Sequence, residues 1–372
     1  MKNNASLPAG RQVCECVNKK TGTTIDSSAK DISDKERKEK EREDGKMKEA
    51  ILILTNSEDG KHTDVVLEKL QQADQNVFRF DSDRFANGEI IIDFENNHRR
   101  CEFAMYSHDQ VINSRNIKSV WYRRPNHFNL QIQDLVQRNY AEQEIKNLLD
   151  GLWTMVPDIF WLSNPKSLEQ ARKKLFQLKL ARELGFLIPE TIVTNDPNRV
   201  HEFFKTYNGK IVFKAFYHEF LNYGDRAFNI PTTLITEKHL EKLELVKKMP
   251  CLFQEFIDKK YELRITVVGQ KIFPVKIYSQ ENSQTTVDWR NPEFINKLRY
   301  EVVSIPEALV KTCLTMLNEL ELSFGAFDFV VDKIGEIFFL EINPNGQWYW
   351  MESQTNVPIS DAIVDILSLE RR

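Results

Sequence analysis

An antiparallel hairpin near the C-terminus constrains the fold of this 372-residue chain more than any other stretch. Residues 327–331 and 338–342 are rich in strand-forming side chains, and residues 333–335 supply a turn that contains glycine. Because side chains alternate between the two faces of a strand, the apolar positions share one face. That face is expected to hold Phe327, Phe329, Val331, Phe338, Leu340 and Ile342. The three oxygen-bearing side chains left on the other face are Asp328, Glu341 and Asn343.

The expected register of this hairpin pairs Val331 with Phe338 and therefore sets Asp328 directly across from Glu341. Two carboxylates and an amide oxygen that converge on one spot repel one another unless a cation lies between them. All-oxygen ligation is typical of magnesium, so the pattern predicts a magnesium site. The alternative is a solvated hairpin face that carries ordinary charges.

The composition is that of a globular protein with material for more than one core. Hydrophobic residues make up 41% and charged residues 28% of the chain. A net charge of −4 gives no reason to expect nucleic acid or a membrane surface as the main partner. No apolar run has transmembrane length, and the five scattered cysteines are typical of a reducing, cytoplasmic environment.

The order of patterns divides the chain into a leader and two folded parts. Residues 1–46 include a long run of alternating acidic and basic side chains, so we expect a disordered charged leader that is dispensable for activity. The sequence leaves open whether this leader belongs to the protein or to a mis-annotated start. Residues 47–162 alternate strands and helices, which predicts a small α/β domain. Residues 163–372 form the remaining part.

Residues 167–185 are expected to form one helix with a cationic edge. Ser167 and Gln170 have the spacing of a capping box, and Gly185 is typical of a helix C-terminus. Lys174 lies on the edge of its apolar stripe and on its own would be an ordinary surface residue.

Several charged residues interrupt apolar strands in the second part of the chain. Lys214 ends the run at residues 211–213, and a buried ammonium group is costly unless an anion meets it. The alternative is a lysine at the end of a strand whose side chain reaches water. Lys276 interrupts another apolar strand in the same way.

Two further pairs of charged residues have the chemistry of a binding site. Glu262 and Arg264 share one face of a strand, where they could bind a ribose hydroxyl and a phosphate, or form a surface ion pair. Asp288 and Arg290 lie in a polar loop, where the arginine would be accessible to a carboxylate.

Taken in order, these motifs resemble the ATP-grasp ligase superfamily, and most of all its peptide-maturing branch, the microviridin or graspetide synthetases. The motifs that carry the resemblance are Lys173-Lys174, Phe213-Lys214, residues 253–256, Glu262-Leu263-Arg264, Phe327-Asp328 and residues 341–347. Sequences typical of that branch are Trp121-Tyr122-Arg123-Arg124-Pro125, Asp288-Trp289-Arg290 and residues 345–350. The resemblance covers about residues 48–372. It implies an α/β ATP-grasp fold with a central lobe at 163–253 and a C-terminal lobe at 254–372. A pre-ATP-grasp domain at 47–162 would precede these lobes in the chain.

The resemblance also implies how ATP and a metal ion would bind. Lys174 and Lys214 would contact the phosphates or the adenine edge, Glu262 the ribose, and Arg264 the phosphates. The adenine site would be lined by Gln254, Glu255, Phe256 and Ile257. Magnesium or manganese would be bound by Asp328, Glu341 and Asn343. The predicted catalytic residues are Arg264, Lys276, Asp288 and Arg290. One departure from many ATP-grasp enzymes is the loop 218–229, whose single glycine, Gly224, makes a poor glycine-rich flap.

The implied activity is ATP-dependent formation of an acyl phosphate, followed by attack of a hydroxyl or amine to give an ester or amide. The expected substrate is a precursor peptide with a leader segment. Arg123 and Arg124 are candidates to bind that segment, and structural burial of both is the alternative. The rival activities are a glutamate ligase that extends a protein terminus and a non-catalytic peptide-binding homologue. A homodimer is left open by the sequence.

Overall fold

The computed structural model describes residues 48–107, 110–125, 128–156, 159–216, 221–223, 226–228, 230–290 and 293–369. The predicted leader, residues 1–46, lies outside this part of the chain. The predicted flap, residues 218–229, also lies outside it except for the backbone of two short strands. No helix among the described residues combines the length and apolarity needed to cross a bilayer.

The first folded part is a parallel sheet with helices, beside a small antiparallel sheet. The parallel strands are β1 (Ala50–Thr55), β2 (Val77–Asp81), β6 (Ile117–Tyr122) and β7 (Phe160–Leu162), in the order β2-β1-β6-β7. The antiparallel strands are β3 (Ile91–Asn96), β4 (Cys101–Ser107) and β5 (Gln110–Asn113). The helices are α1 (Lys61–Gln72), α2 (Ser82–Ala86) and α3 (Leu135–Thr154). Every residue of β1 is buried, as its unbroken apolar run predicts.

A second, antiparallel sheet follows. Its strands are β8 (Thr191–Thr194), β9 (Ile211–Lys214), β12 (Thr233–Leu234) and β13 (Cys251–Glu255), in the order β12-β9-β13-β8. Between β9 and β12 the chain forms a separate hairpin of β10 (Leu221–Tyr223) and β11 (Arg226–Phe228). The helices of this part are α4 (Pro165–Ala171), α5 (Lys174–Glu183), α6 (Pro197–Thr206) and α7 (Glu237–Leu240). Because β13 runs through residues 253 and 254, the predicted lobe boundary falls inside a strand.

The third sheet has five antiparallel strands and contains the hairpin predicted near the C-terminus. Its strands are β14 (Lys259–Val268), β15 (Lys271–Ile277), β16 (Tyr300–Val302), β17 (Phe324–Asp332) and β18 (Ile337–Asn343), in the order β16-β15-β14-β17-β18. The remaining helices are α8 (Glu307–Glu319), α9 (Tyr349–Thr355) and α10 (Ile359–Ser368). One face of the sheet is apolar and belongs to a core cluster that includes residues of α8, such as Cys313 and Met316.

The single helix predicted at residues 167–185 is in fact two helices, α4 and α5. The N-cap of α4 is Asn164, whose side chain accepts from the backbone N–H of Lys166 at 2.9 Å. Ser167 lies inside α4 and is buried, so the predicted capping box is wrong. Proline at the first position of α4 explains the earlier start. The break at residues 172–173 makes Lys174 the first residue of α5.

The predicted register of the β17–β18 hairpin is wrong at its turn and right at its carboxylates. Val331 pairs with Ile337, and Phe329 pairs with Phe339. The register then shifts, and Asp328 pairs with Glu341 as predicted. The extra residue is Leu340. A bulge of this kind changes which face the following side chains take, so Phe339 lies in the core and Leu340 lines a pocket, the reverse of the prediction.

Candidate active site

A pocket is lined by residues of the second and third sheets and by the start of α5. The pocket brings together most of the site residues that the sequence motifs predict. They are Lys174, Lys214, Gln254, Glu255, Phe256, Ile257, Glu262, Asp288, Arg290, Asp328 and Glu341.

Glu341 lies between two cations on one wall of the pocket. Its Oε2 is 3.3 Å from Lys174 Nζ, and its Oε1 is 2.9 Å from Arg290 Nη1. Lys174 reaches this position because α5 begins at that residue. The carboxylate of β18 is therefore neutralised by groups from two other parts of the chain.

Arg290 joins Glu341 to a second carboxylate, that of Asp288. Its Nε lies 2.9 Å from Asp288 Oδ1, and its Nη2 lies 3.1 Å from Oδ2. Burial opposes ionisation of Asp288, but the Arg290 guanidinium outweighs it, together with the backbone N–H groups of Arg290 and Thr232, and lowers the pKa of Asp288 to about 2. Asp288 is therefore a fixed negative charge at neutral pH.

Asp328 is held by partners on both neighbouring strands. Arg264 Nη1 lies 2.7 Å from each of its carboxylate oxygens, and Asn343 Nδ2 donates to Oδ2 at 3.1 Å. Arg264 and Asp328 are both buried. Arg264 does not line the pocket, because its guanidinium is directed at Asp328 and at the carbonyl oxygen of Gln347. The structure thus places Arg264 behind the predicted metal ligands.

The chemistry of the donor set fits magnesium that is bound together with phosphates. Asp328 and Glu341 lie opposite each other, and Asn343 contacts Asp328. Among the described residues no group of three or more His, Cys, Asp or Glu side chains could hold a metal ion. Two carboxylates and an amide would leave several positions of an octahedral ion for water and nucleotide oxygens. That is the usual way in which proteins bind magnesium.

Lys214 extends from the end of β9 into the same pocket. Burial lowers the pKa of Lys214 to about 8, and the nearby positive charge of Lys174 acts in the same direction. Glu341 opposes the shift. An ammonium group that is poorly solvated gains more than an exposed one from a bound anion.

Lys259 also lines the pocket, and no sequence motif predicted it. Its Nζ donates to Glu262 Oε1 at 2.7 Å and to the carbonyl oxygen of Val287 at 3.0 Å. Burial raises the pKa of Glu262, and Lys259 opposes that shift. Residues three apart on a regular strand face opposite ways. Here an irregularity in the pairing of β14 between Lys259 and Tyr261 lets the two side chains meet.

Like Arg264, the predicted site residues Lys276 and Asn343 do not line the pocket. Lys276 pairs with Leu263 and so lies on the apolar face of the third sheet, where its Nζ is 4.3 Å from the ring centres of Tyr261 and Tyr278. Arg123 is 1% exposed, so burial accounts for it rather than peptide binding. Arg124 is half-exposed.

The chain is similar to several known proteins. Residues 50–169 match the family model described as "MvdD pre-ATP grasp domain". The chain is similar to macrocyclase MdnB from Microcystis aeruginosa MRC, at 31% identity and a TM-score of 0.73 over 86% of this chain and 99% of that chain. It is similar to macrocyclase MdnC of the same organism, solved with precursor peptide MdnA, at 29% identity and a TM-score of 0.76 over 86% and 99% of the two chains.

A third solved structure is a RiPP-associated ATP-grasp ligase from Chryseobacterium gregarium, in complex with ADP and with a leader and core peptide. The two chains share 28% identity with a TM-score of 0.79, over 87% of this chain and 98% of that chain. The resemblance and the α/β fold predicted from the motifs are confirmed. The likeness to MdnB spans nearly all of that chain. The chain therefore belongs to the ATP-grasp family of peptide maturases, ligases that form carbon–nitrogen or carbon–oxygen bonds.

Proposed function

We propose that this enzyme is a macrocyclase that joins Asp or Glu side chains of a precursor peptide to Thr, Ser or Lys side chains of the same peptide. The observation that carries the proposal is the position of Arg290, whose guanidinium spans Asp288 and Glu341 on the wall of the pocket. Its side chain is 40% exposed, so it can also meet a substrate carboxylate. Macrocyclases MdnB and MdnC are similar over nearly their whole length.

ATP would enter the pocket with its phosphates toward Lys174 and Lys214. Lys174 Nζ lies 3.3 Å from Glu341, and the charges of both residues act on Lys214. The adenine side would be provided by residues 254–257, which begin at the end of β13. Complex formation of the Chryseobacterium ligase with ADP supports the same nucleotide class here. Glu262, which accepts a hydrogen bond from Lys259, would face the ribose.

Asp328, Glu341 and Asn343 would hold magnesium or manganese. A divalent cation there supplies neutralisation of the charge on the transferring phosphoryl group. Lys174 and Arg290 already balance the negative charge of Glu341. A bound cation would therefore share the Glu341 carboxylate with these two residues. Arg264 keeps the carboxylate of Asp328 in place from the protein side.

The proposed reaction uses these charges in two steps. A peptide carboxylate oxygen, oriented by Arg290, attacks the γ-phosphorus of ATP, the bond to the β-phosphate oxygen breaks, and ADP leaves. A hydroxyl or amine of the same peptide then attacks the acyl phosphate carbon. The carbon–oxygen bond to phosphate breaks, the proton of the nucleophile passes to the leaving phosphate, and the phosphate departs as hydrogen phosphate. Asp288, with a pKa of about 2, is too weak a base to take that proton efficiently and instead fixes Arg290.

The mass of the product tests this proposal. The purified protein is incubated with ATP, magnesium and a precursor peptide that carries a leader followed by Thr/Ser and Asp/Glu clusters. A macrocyclase removes one water per linkage, and mild alkali then cleaves esters but not amides. A ligase that adds glutamate to a protein terminus would instead raise the mass by whole residues. A non-catalytic homologue would consume no ATP. The Glu341→Gln variant is the control for a contaminating activity.

A further inference from the structure

Arg123 lies at the end of β6, on the first sheet, yet it contacts the segment that follows the predicted metal ligands of β18. Its Nη1 donates to the carbonyl oxygen of Asn345 at 2.8 Å, to Asn345 Oδ1 at 3.0 Å and to the carbonyl oxygen of Gly346 at 3.2 Å. Asn345 Nδ2 donates in return to the carbonyl oxygen of Arg123. These contacts join residues more than 220 positions apart in the chain.

The guanidinium of Arg123 is fixed from its other side. Its Nε donates to Asp59 Oδ2 at 3.1 Å, and the same carboxylate oxygen accepts from the Thr63 hydroxyl at 2.6 Å. Asp59 and Thr63 are buried, as Arg123 is. A buried arginine with a buried counter-ion has one orientation, so it can hold its remaining partners precisely in place.

The segment that Arg123 holds lies directly against the support of Asp328. Arg264 Nη2 donates to the carbonyl oxygen of Gln347 at 3.2 Å, while its Nη1 binds both oxygens of Asp328. A Cβ on Gly346 would come within 2.9 Å of Arg264 Nη2 and 3.1 Å of Asn343 Cβ. The position of residues 345–347 therefore limits where the Arg264 guanidinium and Asn343 can lie.

We propose that Arg123 is a positioning residue, through which the first folded part of the chain sets the geometry of the metal and nucleotide site. It acts through the segment 345–347 and does not itself touch the nucleotide. The inference rests on the proposed function, because it assumes that Asp328, Glu341 and Asn343 hold a divalent cation beside the phosphates. It assigns to the sequence Trp121-Tyr122-Arg123 a role in the ATP site.

The test measures ADP binding by isothermal titration calorimetry at a series of magnesium concentrations, without peptide. Arg123→Lys keeps a positive charge for Asp59 but cannot reach Asp59 and three acceptors of residues 345–346 in the planar arrangement of a guanidinium. We expect it to raise the magnesium concentration for half-maximal ADP binding by on the order of 10-fold, as the loss of groups that orient metal ligands commonly does. The matched control is Arg115→Lys, at an exposed position of the same folded part where the arginine pairs with Glu102, and it should leave the magnesium dependence unchanged.

The outcomes separate this inference from the proposed function. Wild-type protein that binds ADP without any dependence on magnesium overturns the metal site of the proposed function and, with it, the role of Arg123, whereas the mass of the product tests macrocyclisation separately. If the wild type shows the expected magnesium dependence and folded Arg123→Lys needs the same magnesium concentration for half-maximal ADP binding, only the role of Arg123 is overturned. This holds even if the variant melts at a lower temperature. If Arg123→Lys does not fold, Asn345→Ala removes the side-chain half of the contact and leaves the Arg123–Asp59 ion pair. An unshifted magnesium dependence in Asn345→Ala likewise overturns the role.

Discussion

Asp328 and Glu341 lie directly opposite each other on β17 and β18 only because Leu340 is an extra residue in the second strand. In a regular ladder that pairs Phe329 with Phe339, Asp328 would meet Leu340, and Glu341 would turn toward the apolar core. The bulge allows Phe339 to stay in the core while Glu341 faces the pocket. Placing both carboxylates on one face is a property of this local irregularity.

Glu341→Gln is expected to lower turnover by on the order of 10²–10³, because a neutral amide cannot balance Lys174 and Arg290 and is a weaker ligand for a cation than a carboxylate. The side chain keeps its size, so the fold should remain intact. ATP consumption with a precursor peptide measures the loss, and circular dichroism checks the fold. Glu336→Gln, in the exposed turn of the same hairpin, is the matched control. Activity near wild type at ample magnesium would remove Glu341 from the metal site.

Arg290→Lys is expected to lower kcat/KM for the peptide by on the order of 10², because a lysine cannot bridge Asp288 and Glu341 and present a planar face to a carboxylate. ADP binding should change much less than peptide turnover. Lys276→Gln provides the contrast, because Lys276 lies on the other face of the sheet, and its activity should stay near wild type. If the two variants lose activity equally, the assignment of Arg290 to the substrate carboxylate is wrong.

Lys214 predicts a pH dependence of nucleotide binding. Its pKa of about 8 means that the ammonium form, which attracts phosphate, is lost as the pH rises through that value. ADP affinity should therefore fall between pH 7.5 and pH 9.5, and Lys214→Arg should flatten this fall because arginine keeps its charge. Calorimetric titrations across that range are the measurement. A wild-type affinity that is constant with pH would show that Lys214 does not meet the phosphates.

The Lys214 ammonium group also affects the free energy of unfolding, and this free energy changes with pH in the opposite direction to the ADP affinity. Its folded pKa of about 8 lies below the ordinary value of 10.5, so the folded state binds fewer protons than the unfolded state between these values. Protein without nucleotide should therefore become more stable as the pH rises from about 8 toward 10.5, as far as Lys214 contributes. Comparing urea midpoints of wild type and Lys214→Met isolates this contribution, since the variant lacks it.

Gly346→Ala is expected to destabilise the protein by about 1–3 kcal/mol, because the new Cβ crowds a packed site. It would lie 2.8 Å from Ala326 Cβ and 2.9 Å from Arg264 Nη2. Gly151→Ala is the matched control on α3, where a Cβ meets no atom within 4 Å, and there alanine should stabilise by about 0.5–1 kcal/mol. Chemical denaturation of both variants gives the comparison. A Gly346→Ala variant as stable as wild type would show that residues 345–347 can move away from Arg264.

The order of elements and most pocket residues could be predicted from the sequence. Strand β1 followed from its apolar run, and Lys214, Asp328 and Glu341 stood out because each places a charge within an apolar strand. A buried charge needs a partner whatever the rest of the fold, so local sequence singles out such residues. It cannot say what the partner is, because Lys276 stood out in the same way and lies outside the pocket. The family resemblance then implied a role for each of these residues.

Contacts between distant parts of the chain were decided by the tertiary structure alone. The bulge at Leu340, the contact of Lys259 with Glu262, and the position of Lys276 on the apolar face depend on strand pairing that alternation cannot reveal. Arg123 looked like a candidate for peptide binding, yet its guanidinium donates to residues 345 and 346, more than 220 positions away in the chain. Local periodicity determines which residues can face a common side, whereas register and long-range packing determine which of them meet.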